Sequence, residues 1–347
     1  MRILIVRSSA IGDVVFASAL PAAIRRAHPD AHIAWLVEPG IHELLLPDPA
    51  IDEVITWSKA EWVKLWKSGR KLELLGRVRQ FRRELHARRF DVALDLQGLL
   101  KSGFLTWLSG APRRVGLGSK EGSQWLMSEV IPRGGEKARI GSEYQYLAQQ
   151  MGFDAGDFLP TLTLAPETEA AAARKLEAHG LQAGRFAVFA PFTTRPQKHW
   201  FEDAWQALAP QLIAATGLTP VILGGPADQP AAARIAAADP RIVNLAGQTR
   251  LPEAAAVIAH AALLIGVDTG LTHMGTALAR PTVAIFGSTC PYQDTGRPTG
   301  SVIWLGMPCS PCRRRPTCGG KFTCLRDITP ERVLAQAQAM LAAERTR

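Results

Sequence analysis

The sequence predicts two doubly wound α/β domains, each a mostly parallel sheet with helices on its faces. Three observations carry that expectation. Short apolar runs alternate with helical stretches through the first half, the alternation repeats more cleanly through the second, and a proline-bracketed segment at 154–166 separates them. Such alternation builds βαβ units, whose crossover helices leave the strands parallel and buried on both faces.

In the first half, residues 2–7 and 31–37 read as buried strands with a helix over 13–27 between them. Residues 90–96 form a further strand, led by a helix over 72–89. In the second half, strands read at 186–190, 220–223, 242–245, 263–267 and 282–286. Helices read at 201–216, 230–238, 252–260 and 271–278. Gly217, Gly224, Gly225, Gly247 and Gly287 mark the turns. The expected domains are 1–158 and 159–347, facing across a cleft, with ligands beyond the carboxyl ends of the strands.

The bulk properties narrow the class. A chain of 347 residues exceeds one ordinary core, and 47% hydrophobic with 20% charged residues suits a soluble globular protein. No apolar run approaches the roughly 20 residues that span a bilayer. Residues 1–6 are too short for a signal peptide's apolar region, and Arg7, Gly12 and Asp13 follow; a cytoplasmic protein is expected. Five cysteines, four of them within 309–324, do not make a secreted disulfide framework. The net charge of +9 is concentrated in residues 59–89, where eleven Lys/Arg stand against three Glu. Such a block points to nucleic acid, a phosphorylated glycolipid or an anionic membrane face. It also reads as a solvated helix face, since Leu75, Val78, Phe81 and Leu85 fall near helical spacing.

Three segments carry candidate chemistry. Ser8-Ser-Ala-Ile-Gly-Asp13 presents a carboxylate at the carboxyl end of the first strand, where a dinucleotide site would need a glycine-rich turn. Val267-Asp-Thr-Gly-Leu-Thr-His273 follows an apolar strand and opens a helix, so the N–H groups of Thr269, Gly270 and Leu271 offer an anion site. Ala190-Pro-Phe-Thr-Thr-Arg-Pro-Gln-Lys-His-Trp200 is a polar loop whose Thr193, Thr194, Arg195 and Lys198 should converge on the rim that carries Asp268.

Taken in order, Ser9-x-x-Gly-Asp13, Asp95-x-Gln97-Gly98 with Lys101, Thr193-Thr194 with Lys198-His-Trp200, Gly224-Gly-Pro226 and Asp268-Thr-Gly-x-x-His273 resemble the bacterial ADP-heptose lipopolysaccharide heptosyltransferases, the ninth glycosyltransferase family. The resemblance runs over nearly the whole chain. It implies a GT-B fold, with acceptor bound by the N-terminal domain and nucleotide sugar by the C-terminal one, and inversion at the sugar carbon without a catalytic metal. Asp13 then looks like the general base. Lys198, Thr193 and Thr194 look like phosphate ligands, and Asp268, Thr269, Gly270 and His273 like the nucleotide-sugar site. Asp228 matches the expected ribose ligand. On the acceptor side, Gln97 and Lys101 join Lys64, Lys67, Arg70 and Lys71 as expected contacts to anionic lipopolysaccharide core. The implied partners are ADP-heptose, that glycolipid and the cytoplasmic face of the inner membrane, with Trp62 and Trp66 as interfacial anchors.

Cys309, Cys312, Cys318 and Cys324 fit a structural Zn or Fe site by ligand type; only the first pair has standard spacing, and four reduced thiols in a surface turn are the alternative. Two rival functions share some of these features. A sugar-nucleotide 2-epimerase has the same fold but needs several acid/base residues around the sugar. A nucleic-acid-binding protein could use Trp57, Trp62, Trp66 and Phe81 for stacking, yet no recognised module surrounds them, so no nucleic-acid partner is expected.

Overall fold

The computed structural model describes residues 1–312 and 315–345. It divides into two compact units, residues 1–136 with 141–158 and residues 137–140 with 159–347.

The first unit runs β1 (Arg2–Val6), α1 (Ile11–Phe16), α2 (Leu20–Ala27), β2 (His32–Val37), α3 (Pro39–Leu45), β3 (Glu53–Thr56), α4 (Lys59–Lys67), α5 (Lys71–Ala87), β4 (Val92–Asp95), α6 (Leu100–Leu108), β5 (Arg113–Leu117), β6 (Glu129–Ile131) and α7 (Ser142–Gln150). Its strands pair in parallel in the order β3-β2-β1-β4-β5-β6. Ile3, Leu4, Ile5 and Val6 are fully buried, as a central parallel strand covered on both faces requires.

The second unit runs α8 (Pro166–Ala178), β7 (Phe186–Ala190), α9 (Glu202–Thr216), β8 (Thr219–Ile222), α10 (Gln229–Ala236), β9 (Val243–Asn244), α11 (Leu251–His260), β10 (Leu263–Val267), α12 (Gly270–Ala277), β11 (Thr282–Ile285), β12 (Gly300–Ile303), α13 (Thr323–Arg326) and α14 (Pro330–Arg345). Here the order is β12-β11-β10-β7-β8-β9, again parallel. Its core joins Phe189, Trp200, Trp205 and Leu212 to Leu325 and Val333 from the C-terminal helices.

Both sheets reverse direction at one place. The chain leaves β1 to build one wing and returns beside it as β4; in the second unit β7 and β10 do the same. These are the topological switch points, where divergent loops leave a crevice.

Two readings of the sequence are corrected. The expected helix over 13–27 is two helices, because Pro21 lacks the N–H that would bond back to Ala17 and α1 closes at Phe16. The strands β3, β5, β6 and β12 were not expected: β3 and β6 mix polar with apolar residues, are short and lie at sheet edges, so they lack the apolar run of a central strand.

Candidate functional site

Asp13, on α1, lies directly beyond the β1/β4 switch point. Its Oδ2 is 2.6 Å from Arg7 Nη2 and accepts a hydrogen bond from the Ala10 N–H at 3.2 Å. Arg7 itself is buried at the end of β1, and its Nη1 donates to the Leu96 carbonyl at 3.1 Å. The carboxylate is therefore aimed by a fixed guanidinium while 39% of its side chain stays open.

The β4 end completes this pocket. Asp95 Oδ1 accepts the N–H groups of Gln97 and Gly98, both at 3.0 Å, which shapes the turn into α6. Burial pushes the Asp95 carboxyl above its ordinary value. Ser8 Oγ donates to Gln97 Oε1 at 3.1 Å, and Lys101 Nζ reaches Ser9 Oγ at 3.4 Å and Glu38 Oε1 at 3.7 Å. Burial, helped by the neighbouring charges of Lys59 and Arg7, holds the Lys101 ammonium below its usual pKa. Asp13, Gln97 and Lys101 thus share one rim through Ser8, Ser9 and Arg7. Lys64, Lys67, Arg70 and Lys71 do not join them. All four are exposed on α4 and the start of α5, where Arg70 pairs with Glu73 and Lys71 lies 5.3 Å over the Trp66 ring.

In the second unit, Asp268 ends β10 at the β7/β10 switch point and collects partners. Lys198 Nζ is 2.6 Å from its Oδ2, His273 Nε2 is 3.2 Å from its Oδ1, and the Thr289 hydroxyl donates to Oδ2. Burial alone would push the Asp268 carboxyl up, but the His273 hydrogen bond and the Lys198 charge outweigh it and hold the carboxyl well below the usual range. His273 Nδ1 is 2.9 Å from the Tyr292 hydroxyl, which locks the imidazole from its far side. Thr269 precedes α12 with its hydroxyl unused as a cap, and Gly270 is the first helical residue. The first-turn N–H groups of α12 accordingly start beside the ionised Asp268 and the Lys198 ammonium. Thr272 turns inward instead, donating to the Val267 carbonyl at 2.7 Å.

The remaining residues expected on the donor side are placed as follows. Thr193 is half-buried, with its carbonyl 2.8 Å from His199 Nε2, and Thr194 is exposed on the same loop. Asp228 Oδ2 accepts the Gly225 N–H at 2.8 Å and so closes its own turn into α10. Arg7, Glu38, Thr289 and Tyr292 were missed from the sequence. Arg7 had a signal, a buried arginine directly after a fully apolar strand. Thr289 and Tyr292 had only the general one that they lie on the loop beyond β11.

The cysteine cluster gains no support as a metal site. Among the described residues no three His, Cys, Asp or Glu side chains are grouped to hold a metal ion. Cys324 is buried on α13, where burial pushes its thiol up to about 11, whereas Cys309 is exposed. The neighbouring thiols of Cys312, Cys309 and Cys318 push the Cys324 thiol the same way, so the four cysteines lie near one another without forming such a group. Trp62 is corrected. It packs edge-on between Trp57 and Phe81, at ring separations of 5.5 and 5.9 Å, and lies partly buried against the core rather than free as an interfacial anchor.

Two six-stranded parallel sheets, each with an anion-ready or acid/base crevice at its switch point, define the two-domain α/β architecture of the GT-B class. Comparison with known proteins takes the assignment further. The signature of glycosyltransferase family 9 (heptosyltransferase) matches residues 78–322, and the chain belongs to that family. It is 31% identical to lipopolysaccharide heptosyltransferase 1 of Pseudomonas aeruginosa, with 100% of this chain and 99% of that protein covered. Among solved structures it is similar to the Escherichia coli ADP-heptose heptosyltransferase II, with a TM-score of 0.78, 27% identity, and 99% and 100% of the two chains covered. An E. coli heptosyltransferase solved with ADP-2-deoxy-2-fluoro heptose superposes with a TM-score of 0.74 at 26% identity, over 98% and 99% of the chains. The protein is therefore a glycosyltransferase, and the epimerase and non-catalytic readings give way. Among the described residues no helix is long and apolar enough to cross a membrane.

Proposed function

We propose that this enzyme transfers heptose from ADP-heptose to the inner core of lipopolysaccharide with inversion at the sugar carbon. The observation that carries the reading is the placement of a guanidinium-held carboxylate at one switch point and a Lys198–Asp268–His273 cluster at the head of α12 at the other. The names of the family-9 relatives, and the ADP-sugar bound in one of them, support the choice of donor and acceptor.

Transfer from a diphosphate builds negative charge on the leaving phosphate and positive charge on the sugar ring. Lys198 and the first-turn N–H groups of α12 are charges and dipoles already oriented for the former, the kind of stabilisation that costs no reorganisation at the moment of reaction. Asp268 keeps the Lys198 ammonium in place until the diphosphate arrives. On the acceptor side, Asp13 takes the proton of the attacking hydroxyl as the new bond forms. Its salt bridge to Arg7 fixes its orientation. Lys101 and Gln97, on the same rim, face the acceptor. The basic segment over residues 59–89 suits a phosphate-rich acceptor and the anionic cytoplasmic face of the inner membrane.

The deciding experiment is mass spectrometry of products from ADP-heptose and a panel of truncated core glycolipids. A single acceptor should gain the mass of one heptose. Release of ADP without any glycosylated product would overturn the assignment.

A further inference from the structure

The first unit leaves exposed apolar side chains on α6 as well as on α5, so the surface reaches beyond the basic segment. On α6, Leu100, Phe104 and Trp107 share one face at helical spacing, with Leu100 51% and Trp107 42% exposed. On α5, Leu72, Leu75, Arg79, Arg82 and His86 share one face by the same spacing, and Leu72 is 86% exposed.

The two faces adjoin. The Arg82 guanidinium lies 5.6 Å over the Trp107 ring, and the His86 ring packs against Gly110. These two contacts set the C-terminal halves of the two helices side by side. Trp125, 84% exposed, closes with Leu100 around Gly122 and extends the patch.

Basic residues border it. A groove of about 740 Å³ beside Trp107 is lined by Arg79, Arg82, Arg83, His86 and Arg89. The acidic side chains of α5 are engaged elsewhere, Glu73 by Arg70 and Glu84 by Gln80. At its other end the stripe meets the candidate pocket, because Leu100 adjoins Lys101, whose ammonium reaches Ser9 beside Asp13.

We propose that this α5–α6 face docks on an anionic phospholipid bilayer. Leu75, Leu100 and Trp107 enter the interface, Arg79, Arg82 and Arg83 rest on the headgroups, and the Asp13 pocket opens at the lipid surface. The docking deepens the membrane-face reading of residues 59–89 given above, and the placement of the Asp13 pocket rests on the glycolipid reading. Trp107 and Trp125 could stack on bases, but the exposed Leu72, Leu75 and Leu100 favour a bilayer, since leucines against a phosphate backbone would stay hydrated. An acceptor held in the membrane then reaches the base without leaving it.

The test uses the full chain in flotation with vesicles of phosphatidylglycerol and phosphatidylethanolamine, and with phosphatidylcholine vesicles as the neutral control. Wild type should float with the anionic vesicles only. The triple variant Leu75→Gln, Leu100→Gln, Trp107→Gln should lose about tenfold or more in partitioning by the apolar area withdrawn. Arg79→Gln, Arg82→Gln, Arg83→Gln should lose roughly a hundredfold and remove most of the salt dependence. Unchanged melting temperatures establish that both variants fold, and Trp107→Gln alone is the fallback if the triple does not. Transfer to a lipid-free core oligosaccharide should be unaffected in the apolar variant, while transfer to acceptor embedded in vesicles falls. Wild type that ignores anionic vesicles, variants that float like wild type, or duplex DNA that displaces the vesicles at equal strength would each overturn the proposal. Absence of transfer to any acceptor would count against the catalytic reading instead, and the flotation result would still decide docking.

Discussion

Replacing Asp13 by asparagine separates chemistry from packing at this position. The amide has nearly the same shape, so its oxygen still accepts from Arg7 and from the Ala10 N–H, and what is lost is the charge. Arg7 is 7% exposed on its side chain and Asp13 39%, at a separation of 2.6 Å. Removing one partner of a fully buried pair costs roughly 3–5 kcal/mol. Water reaches this carboxylate, so the pair is worth far less, and about 1–2 kcal/mol is the appropriate scale after screening. For a domain of this size that is a melting-temperature fall of about 2–4 °C per kcal/mol. The catalytic loss should be larger. A missing general base lowers kcat by about 10²–10⁴-fold, or roughly 2.7–5.5 kcal/mol of activation free energy. The measurement combines initial rates at saturating substrates, donor affinity by titration calorimetry and the melting temperature. The expected pattern is a collapsed kcat, unchanged donor Kd and a shift of a few degrees. Near-normal kcat would place the base elsewhere. A donor Kd that weakens in step with the melting temperature would mean that Asp13 supports the fold and does not act on the acceptor.

Four further outcomes are expected. Asp268 has a depressed pKa in the folded state, so its contribution to stability is complete above the unfolded carboxylate value near 4 and is lost as pH falls through the lower folded value; Asp268→Asn should flatten the acid limb of a stability-versus-pH curve below about pH 4, and an unchanged limb would refute the pairing. The same variant frees Lys198 and His273 from their shared carboxylate, so donor Kd should weaken, and a tighter Kd would show that Asp268 only repels the diphosphate. Replacing Lys64, Lys67, Arg70 and Lys71 by Ala should raise acceptor KM several-fold with donor affinity unchanged, and the effect should shrink at high salt; equal losses on both substrates would mark a structural role. Cys309→Ser with Cys312→Ser, or treatment with chelator, should leave the melting temperature where it is, and elemental analysis finding a stoichiometric metal lost on either treatment would reinstate the thiolate site.

Much of this protein is legible without a fold. Continuous apolar runs such as Ile3–Val6 and Leu263–Val267 can only be strands buried on both faces, so parallel sheets and crossover helices follow from local pattern. The positions of Asp13, Lys198 and Asp268, each just past such a run, follow too, because strand ends are read directly along the chain. Tertiary structure decided what pattern cannot encode. Edge strands such as Glu53–Thr56 gain their conformation from a neighbour's open backbone groups, not from their own residues. The Lys198–Asp268–Thr289 contacts join loops after three different strands, and Arg7 meets Asp13 only because the turn between them folds back. The basic segment is the sharpest case. Its charge was evident, but which tryptophan packs and which is left at the surface depended on the fold: Trp62 lies partly buried against the core while Trp66 is exposed. Cysteine spacing likewise gave proximity along the chain, whereas the fold decided exposure, leaving Cys309 at the surface and Cys324 buried on α13.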